Sequence, residues 1–288
     1  MKTGFVILNY NSWKLTKALA EKVSAFNNID KVVVVDNVST DDSYQYLAPL
    51  QSAKIEVILS DKNGGYSYGN NIGAQYCAKE GADILFISNP DVDVEEADID
   101  KLLNTFETSD YAMLSGVEYD IEGKVSKDPF WTAMTFKDDL LDCFFIGRKI
   151  LESKKLVPLD KKVPIQEVDI LKGSFFGVRM SSFLEVGGFD DNVFLFCEER
   201  IIARKFSDAG MKIGVVTDAK YQHNHSASIT KTYKAVASQI KLLYDSRLYY
   251  NKTYEKPGSF NMLVLKAAMK ISLLEYRLRD AIKGAKHR

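Results

Sequence analysis

The chain has 288 residues, of which 46% are hydrophobic and 27% charged, with a formal net charge of −1. This length allows one large α/β domain or two small ones around a sizeable core, and the balanced charge argues against a general nucleic-acid binder. Three widely spaced cysteines, Cys77, Cys143 and Cys197, form neither a CxxC zinc spacing nor a disulfide framework, so a reducing, cytoplasmic setting is expected.

The opening apolar run stops at Asn9, too soon for a signal peptide. No stretch approaches the ~20 uncharged apolar residues of a transmembrane helix. Residues 1–110 alternate short apolar runs with helical patterns, which predicts repeated βαβ units. The strands are placed at Gly4–Leu8, Lys31–Val35, Ile55–Leu59 and Ile84–Ser88. The helices are placed at Trp13–Phe26, Asp42–Leu50, Asn70–Lys79 and Glu95–Phe106. A mostly parallel, Rossmann-like sheet flanked by helices follows, with the loops after its strands gathered at one edge. Beyond Tyr111, residues Val117–Val125 predict an antiparallel hairpin around Glu122-Gly123. Residues 126–167 carry no firm period and are read as a candidate second-substrate surface. Order returns at Asp169–Met180 and Phe183–Phe189, then with a helix near Glu198–Ala209, a strand at Lys212–Val216 and a helical pattern from Thr230 onward. The division expected is a domain over 1–228, with a nucleotide-binding half at 1–110 and an acceptor half at 111–228, and a helical extension over 229–288.

The chemistry concentrates where the fourth strand breaks into Asn89-Pro90-Asp91-Val92-Asp93. Pro90 lacks an N–H donor and cannot continue a central strand, so Asp91 and Asp93 sit where the strand leaves the sheet, the edge at which open α/β sheets bind ligands. Two hard oxygen donors there suit Mg²⁺ or Mn²⁺ shared with a substrate phosphate. The plainer alternative is a turn whose acids cap the next helix. In the third loop, Gly64-Gly65-Tyr66-Ser67-Tyr68-Gly69-Asn70-Asn71 has the glycine spacing of a phosphate loop without its Lys and Ser/Thr, which excludes a Walker ATPase. Paired glycines let backbone approach a flat ligand or take positive φ; the alternative is a tight turn before a helix capped by Asn70. Asp36 could accept a base N–H, while Ser39, Thr40 and Asp41 are read as helix caps. Glu198-Glu199, beside Phe194, Phe196 and Cys197, supplies a carboxylate for general-base work, or merely acids that suit a helix N-terminus. His223 and His225, with Ser226 and Ser228, could ligand the metal or contact a phosphate.

Taken together, these segments resemble the inverting family-2 glycosyltransferases of the GT-A fold, especially bacterial rhamnosyltransferase-like enzymes of surface polysaccharide assembly. The resemblance runs from Gly4 to Ser228 and rests on the order of Val6–Asn11, Val34–Asp41, Asn63-Gly64-Gly65 with Asn70 and Gly73, Asn89-Pro90-Asp91, Gly173–Phe176, Gly187–Asp190 and Phe196–Glu199. It implies that Asn89-Pro90-Asp91 stands at the family's DxD position, with Asp91 holding the divalent cation on a nucleoside-diphosphate sugar. By the same resemblance Asp36 reads the pyrimidine, Asn9 and Asn63-Gly64-Gly65 line the base and ribose, and Gly173-Ser174 border the donor sugar and acceptor. Glu199 is the implied base with Glu198 its rival, and His223 lies near the diphosphate. Asn89 and Glu199 each replace an aspartate of the family pattern. The acceptor implied is a glycan or lipid-linked hydroxyl, and dTDP-rhamnose is a family-level donor preference.

In the last segment Leu263, Ala267, Ile271, Leu274, Leu278 and Ile282 follow helical steps beside Lys266, Lys270 and Arg277. Such a stripe predicts peripheral contact with an anionic membrane, or packing on the core or on a second copy in a homodimer. Two rival functions remain. A nucleotidyltransferase would need a basic glycine-rich loop that Asn9-Tyr10-Asn11-Ser12 does not supply, and a non-catalytic scaffold of the same fold would have no use for the acids.

Overall fold

A computed structural model describes residues 1–127, 130–155, 157–224 and 236–286. The first half carries β1 (Thr3–Asn9), α1 (Trp13–Ser24), β2 (Lys31–Asp36), α2 (Ser43–Leu47), β3 (Ile55–Leu59), α3 (Gly65–Lys79), β4 (Ile84–Ser88), β5 (Val92–Asp93) and α4 (Glu96–Thr108). The second half adds β6 (Met113–Tyr119), β7 (Phe130–Trp131), α5 (Phe136–Asp142), α6 (Phe145–Lys155), β8 (Ile165–Glu167), β9 (Ile170–Leu171), β10 (Phe175–Arg179), α7 (Met180–Glu185), α8 (Glu198–Asp208) and β11 (Ile213–His223). The chain then continues through α9 (Val236–Tyr250), a π-helical turn (Asn251–Glu255) and α10 (Ser259–Lys286).

Among the described residues nine strands form one sheet in the order β3-β2-β1-β4-β10-β6-β11-β5, with β8 also paired to β11. Strands β1 to β4 are parallel, as the uninterrupted apolar runs of β1, β2 and β4 predict for strands buried on both faces, while β3, broken by Glu56, is the edge strand. The parallel expectation stops there. β10 runs antiparallel between β4 and β6, and β11 pairs parallel with β6 but antiparallel with β5 and β8. Alternate residues supply the two faces. Val6, Val33, Val35, Leu85 and Ile87 pack toward Ala74 and Cys77 of α3, while Phe5, Ile7, Val32, Val34 and Phe86 pack toward α1 and α4.

Four stretches depart from the sequence reading. Helix α3 starts at Gly65, so Asn70 is no cap but lies inside the helix, donating Nδ2 to the Tyr66 carbonyl at 3.1 Å. Strand β6 is a central strand, and its return after the Asp120–Gly123 turn is a single bridge from Tyr119 to Val125 rather than a hairpin. Residues 126–167, which carry no readable period, contain β7, α5, α6 and β8. The stretch read as a strand at Lys212–Val216 continues to His223 through an irregularity between Val216 and Lys220, and this extension carries His223 beside Val92.

Helices α9 and α10 pack against α5, with Cys143, Tyr244, Leu265, Ala268 and Met269 in one apolar cluster. No described helix is long and apolar enough to cross a membrane.

Candidate functional site

The parallel strands end together, and their last residues form the floor of a polar edge. Asn9 and Asp36, paired across β1 and β2, are both buried. Asn9 donates Nδ2 to Asp36 Oδ1 at 2.8 Å and to Ser39 Oγ at 3.0 Å, while its own Oδ1 accepts the Thr16 hydroxyl at 2.7 Å. Asn9 thus orients Asp36. Ser39 and Thr40, read as helix caps, instead stitch this loop to the first: the Asn11 amide donates to Ser39 Oγ and the Thr40 amide to Asn11 Oδ1. Asp41 does support the helix start, accepting the Ser43 amide at 3.0 Å.

The glycine loop has an internal reason for its sequence. Gly65 takes φ +85°, and a Cβ there would fall 1.9 Å from the Phe194 carbonyl oxygen. That carbonyl accepts the Tyr66 amide at 3.0 Å. The close approach is therefore made by the protein's own backbone, joining the start of α3 to the segment that leads into Glu198 and Glu199. Asn37 Nδ2 ties the loop down through Asn63 Oδ1 at 3.1 Å and the Gly65 carbonyl at 3.0 Å. Buried oxygens of Asn37 (Oδ1) and Ser67 (Oγ) remain without a protein partner here, as does Oδ1 of the wholly buried Asn70.

Past β4, the Asn89 amide donates to the Ser174 carbonyl at 2.8 Å, and Asp91 is buried with Oδ1 3.3 Å from His223 Nε2. Behind His223 stands Glu118, wholly buried on β6, with Oε2 3.7 Å from His223 Nδ1 and 3.0 Å from the Tyr221 hydroxyl. Its Oε1 accepts Lys172 Nζ at 3.0 Å. Burial works against the Glu118 charge, but His223 and Lys172 outweigh it and lower its pKa to about 2. Burial likewise opposes a charged His223, yet Asp91 and Glu118 raise it to about 9. Asp93 does not join this cluster. Val92 pairs with His223 and Asp93 with Gln222, so strand alternation puts Asp93 on the other face, where Lys22 Nζ meets it at 2.5 Å. His225, Ser226 and Ser228 lie outside the described residues.

The acids Glu198 and Glu199 open α8 directly after two left-handed residues, Phe196 (φ 69°) and Cys197 (φ 66°). Glu199 Oε1 accepts the Gly173 amide at 3.2 Å, and the Gly173 carbonyl accepts the Tyr66 hydroxyl at 2.6 Å. Desolvation raises the pKa of both acids, and Glu198 is pushed up further by the charge of Glu199. The Gly173 amide acts against that rise at Glu199 and has no counterpart at Glu198. Glu118, Lys172, Tyr66 and Tyr221 are absent from the sequence-derived site. The one available signal was Glu118 as a lone acid in the otherwise strand-like Met113–Tyr119.

A divalent cation fits this edge chemically. Asp91 offers a hard oxygen and His223, on giving up the proton that Asp91 and Glu118 favour, an imidazole nitrogen 3.3 Å away, a pair that would suit Mn²⁺ or Mg²⁺ with phosphate and water as further ligands. Among the described residues no group of three or more His, Cys, Asp or Glu side chains is placed to hold an ion alone.

With this geometry in view, residues 5–186 match the family described as Glycosyl transferase family 2. The chain belongs to that family. The transferase is 24% identical over 266 residues to the rhamnosyltransferase WbbL of Escherichia coli K12, covering 88% of this chain and 97% of the relative. It is 26% identical over 232 residues to the low-salt glycan biosynthesis hexosyltransferase Agl10 of Haloferax volcanii, covering 79% of this chain and 69% of the relative. Among solved structures, the mannosyltransferase PcManGT from Pyrobaculum calidifontis, in complex with GDP-Man and Mn²⁺, superposes with a TM-score of 0.60 at 12% identity, covering 99% of this chain and 75% of that one. The fold is GT-A.

Proposed function

We propose that this transferase moves a sugar, with inversion, from a nucleoside-diphosphate sugar to a hydroxyl of a growing surface polysaccharide or a lipid-linked acceptor. The observation that carries the reading is the placement of the half-buried Glu199 carboxylate on the Gly173 amide, next to Ser174, whose carbonyl holds Asn89 at the Asp91 strand end. These contacts support reading Glu199 as a base set beside a diphosphate-binding edge. Glu199 takes the acceptor proton as the hydroxyl oxygen bonds to the anomeric carbon, and the bond to the diphosphate oxygen breaks on the opposite face. A single displacement inverts the configuration. Asp36, held by Asn9, and the Asn63-Gly64-Gly65 loop receive the nucleoside, while Gly173 and Ser174 border the sugar. Asp91 and His223 would hold the divalent cation, which when bound supplies positive charge opposite the departing diphosphate. The rhamnosyltransferase relative supports rhamnose as the sugar transferred, and dTDP-rhamnose is the donor proposed.

The same reading places the enzyme peripherally on the inner face of the cell membrane. Along α10 the buried Leu265, Ala268, Met269 and Ser272 face the protein, whereas Phe260, Leu263, Ile271, Leu274 and Leu278 are exposed beside Lys266 and Lys270.

The deciding experiment is thermal unfolding with dTDP-, UDP- and GDP-sugars, each with Mn²⁺ and then with excess chelator. A bound donor at ~100 times its Kd stabilises by roughly 2.7 kcal/mol. A metal-dependent shift for one donor, absent in Asp91→Ala, supports the proposal. No shift across the panel favours the scaffold of the same fold.

A further inference from the structure

The segment bearing Glu199 is fastened to the C-terminal extension at three points that the transfer reaction itself does not require. Before the left-handed pair, the Leu195 carbonyl accepts the hydroxyl of Ser246, a buried residue of α9, at 2.7 Å. Earlier in the loop, Asp190 accepts the hydroxyls of Tyr249 and Tyr254 at 2.8 and 2.6 Å. Immediately after Glu199, the Arg200 guanidinium reaches both oxygens of the buried Asp139 at 3.0 and 2.8 Å and lies 3.8 Å from the Tyr250 ring. Asn251 closes the clamp by donating Nδ2 to Asp139 at 2.6 Å. Val193, Ile201 and Tyr250 fill the space between these anchors.

Two consecutive non-glycine residues at positive φ persist only where their surroundings impose them. Here the imposition comes from two sides: the Tyr66 amide holds the Phe194 carbonyl from the nucleotide half, and Ser246 holds the next carbonyl, that of Leu195, from the extension. Turning Phe196 or Cys197 out of this conformation would swing the first turn of α8 and take the Glu199 carboxylate off the Gly173 amide. We propose that residues 246–254 of the C-terminal extension are a positioning element for the base, with Ser246 the residue that fixes the Phe196-Cys197 turn and the Asp139–Arg200 pair the anchor that fixes the helix behind it. This rests on Glu199 being the base, the reading given above.

The test uses the full chain and two independent readouts. In Ser246→Ala, amide hydrogen exchange across residues 195–201 should accelerate about tenfold while exchange in β1 to β4 stays unchanged. Nucleoside diphosphate release from whichever of dTDP-rhamnose, UDP-glucose and GDP-mannose is turned over should lose about tenfold in kcat with KM for the donor unaltered, and Ser246→Thr should restore it. In a Glu199→Gln background, Ser246→Ala should cost nothing further, because the group it positions is gone. Unchanged exchange overturns the proposal. So does an equal loss in both backgrounds, or a raised KM with normal kcat. If Glu199→Gln itself turns over normally, the assignment of the base fails instead, and the exchange readout still decides the positioning role of Ser246.

Discussion

The amide of Asn89 donates to the carbonyl of Ser174 at 2.8 Å, so the β4–β10 ladder continues into the strand end carrying Asp91 and the turn receiving Glu199. On the proposed reading, substitution of Glu199 tests the chemistry and substitution of Asp91 tests donor binding.

Glu199→Gln should lower turnover by ~10²-fold or more while the thermal shift produced by donor stays near normal. Its pKa is raised by desolvation above the ordinary 4.5, so the active carboxylate form is gained as pH rises through that higher value. The acid limb of the pH–rate profile should lie above pH 4.5 and vanish in the Gln variant. Normal turnover in Glu199→Gln with loss in Glu198→Gln would move the base one residue back.

Glu198→Gln should stabilise the protein at neutral pH. Desolvation and the neighbouring Glu199 charge raise the folded pKa of Glu198 well above 4.5, so the folded state keeps a proton that the unfolded chain releases. That costs nothing below pH 4.5 and a growing amount as pH rises above it, up to the folded value. Denaturant midpoints of the two proteins should coincide at pH 4 and diverge by pH 7. A lower midpoint for the variant at pH 7 would mean that Glu198 is ionised in the folded state.

Glu118 has the opposite sign. Its folded pKa of about 2, against 4.5 when unfolded, contributes stability that is complete above pH 4.5 and is lost as pH falls toward 2. The difference amounts to about 3 kcal/mol. Glu118→Gln should cost a comparable amount at neutral pH, since it leaves Lys172 buried beside an uncharged amide, and acid unfolding of the variant should be correspondingly flatter between those values.

The parallel half of the fold was legible because Phe5–Leu8, Val32–Val35 and Leu85–Ile87 are apolar on both faces, which only a doubly covered strand permits. Glu118 was not: it lies on such a strand, and the partners that make it tolerable, Lys172 and Tyr221, are 54 and 103 residues away. Asp93 misled for a related reason. Its spacing from Asp91 fits a metal pair, and only the register of β5 on β11 turns it toward Lys22. Glu198-Glu199 could be located but not ranked from sequence, because the difference depends on which one meets the Gly173 amide. The bracing of the Glu199 segment has no sequence signal at all, as Asp139 of α5 meets Arg200 across 61 residues and Ser246 of α9 meets Leu195 across 51.

Gly65→Ala should be far more damaging than Gly123→Ala. Both positions have positive φ, 85° and 75°, but a Cβ on Gly65 would meet the Phe194 carbonyl at 1.9 Å whereas one on Gly123 meets nothing within 4 Å. The left-handed backbone alone costs about 1 kcal/mol, and the clash must add displacement of the loop that leads to Glu199. Chemical denaturation should show a loss of about 1 kcal/mol for Gly123→Ala and at least twice that for Gly65→Ala, with turnover lost only in the latter. Equal losses would show that the Phe194 segment yields freely.

The membrane reading is tested on the exposed face of α10 and not by truncation. Removing the helix would uncover Cys143 and Tyr244, which pack on Leu265, Ala268 and Met269, and the newly bared core would itself stick to lipid. Ile271, Leu274 and Leu278 are each more than half exposed, so charge can be placed there without disturbing that core. Ile271→Glu/Leu274→Glu/Leu278→Glu should keep the unfolding midpoint of the parent and lose pelleting with vesicles containing anionic phospholipid. Raising salt should weaken pelleting of the parent, because Lys266 and Lys270 contribute only within a screening length of the surface. Pelleting by the triple variant equal to that of the parent would remove this face as the contact. A fall in apparent mass in the variant without vesicles would identify the same stripe as a dimer seam instead.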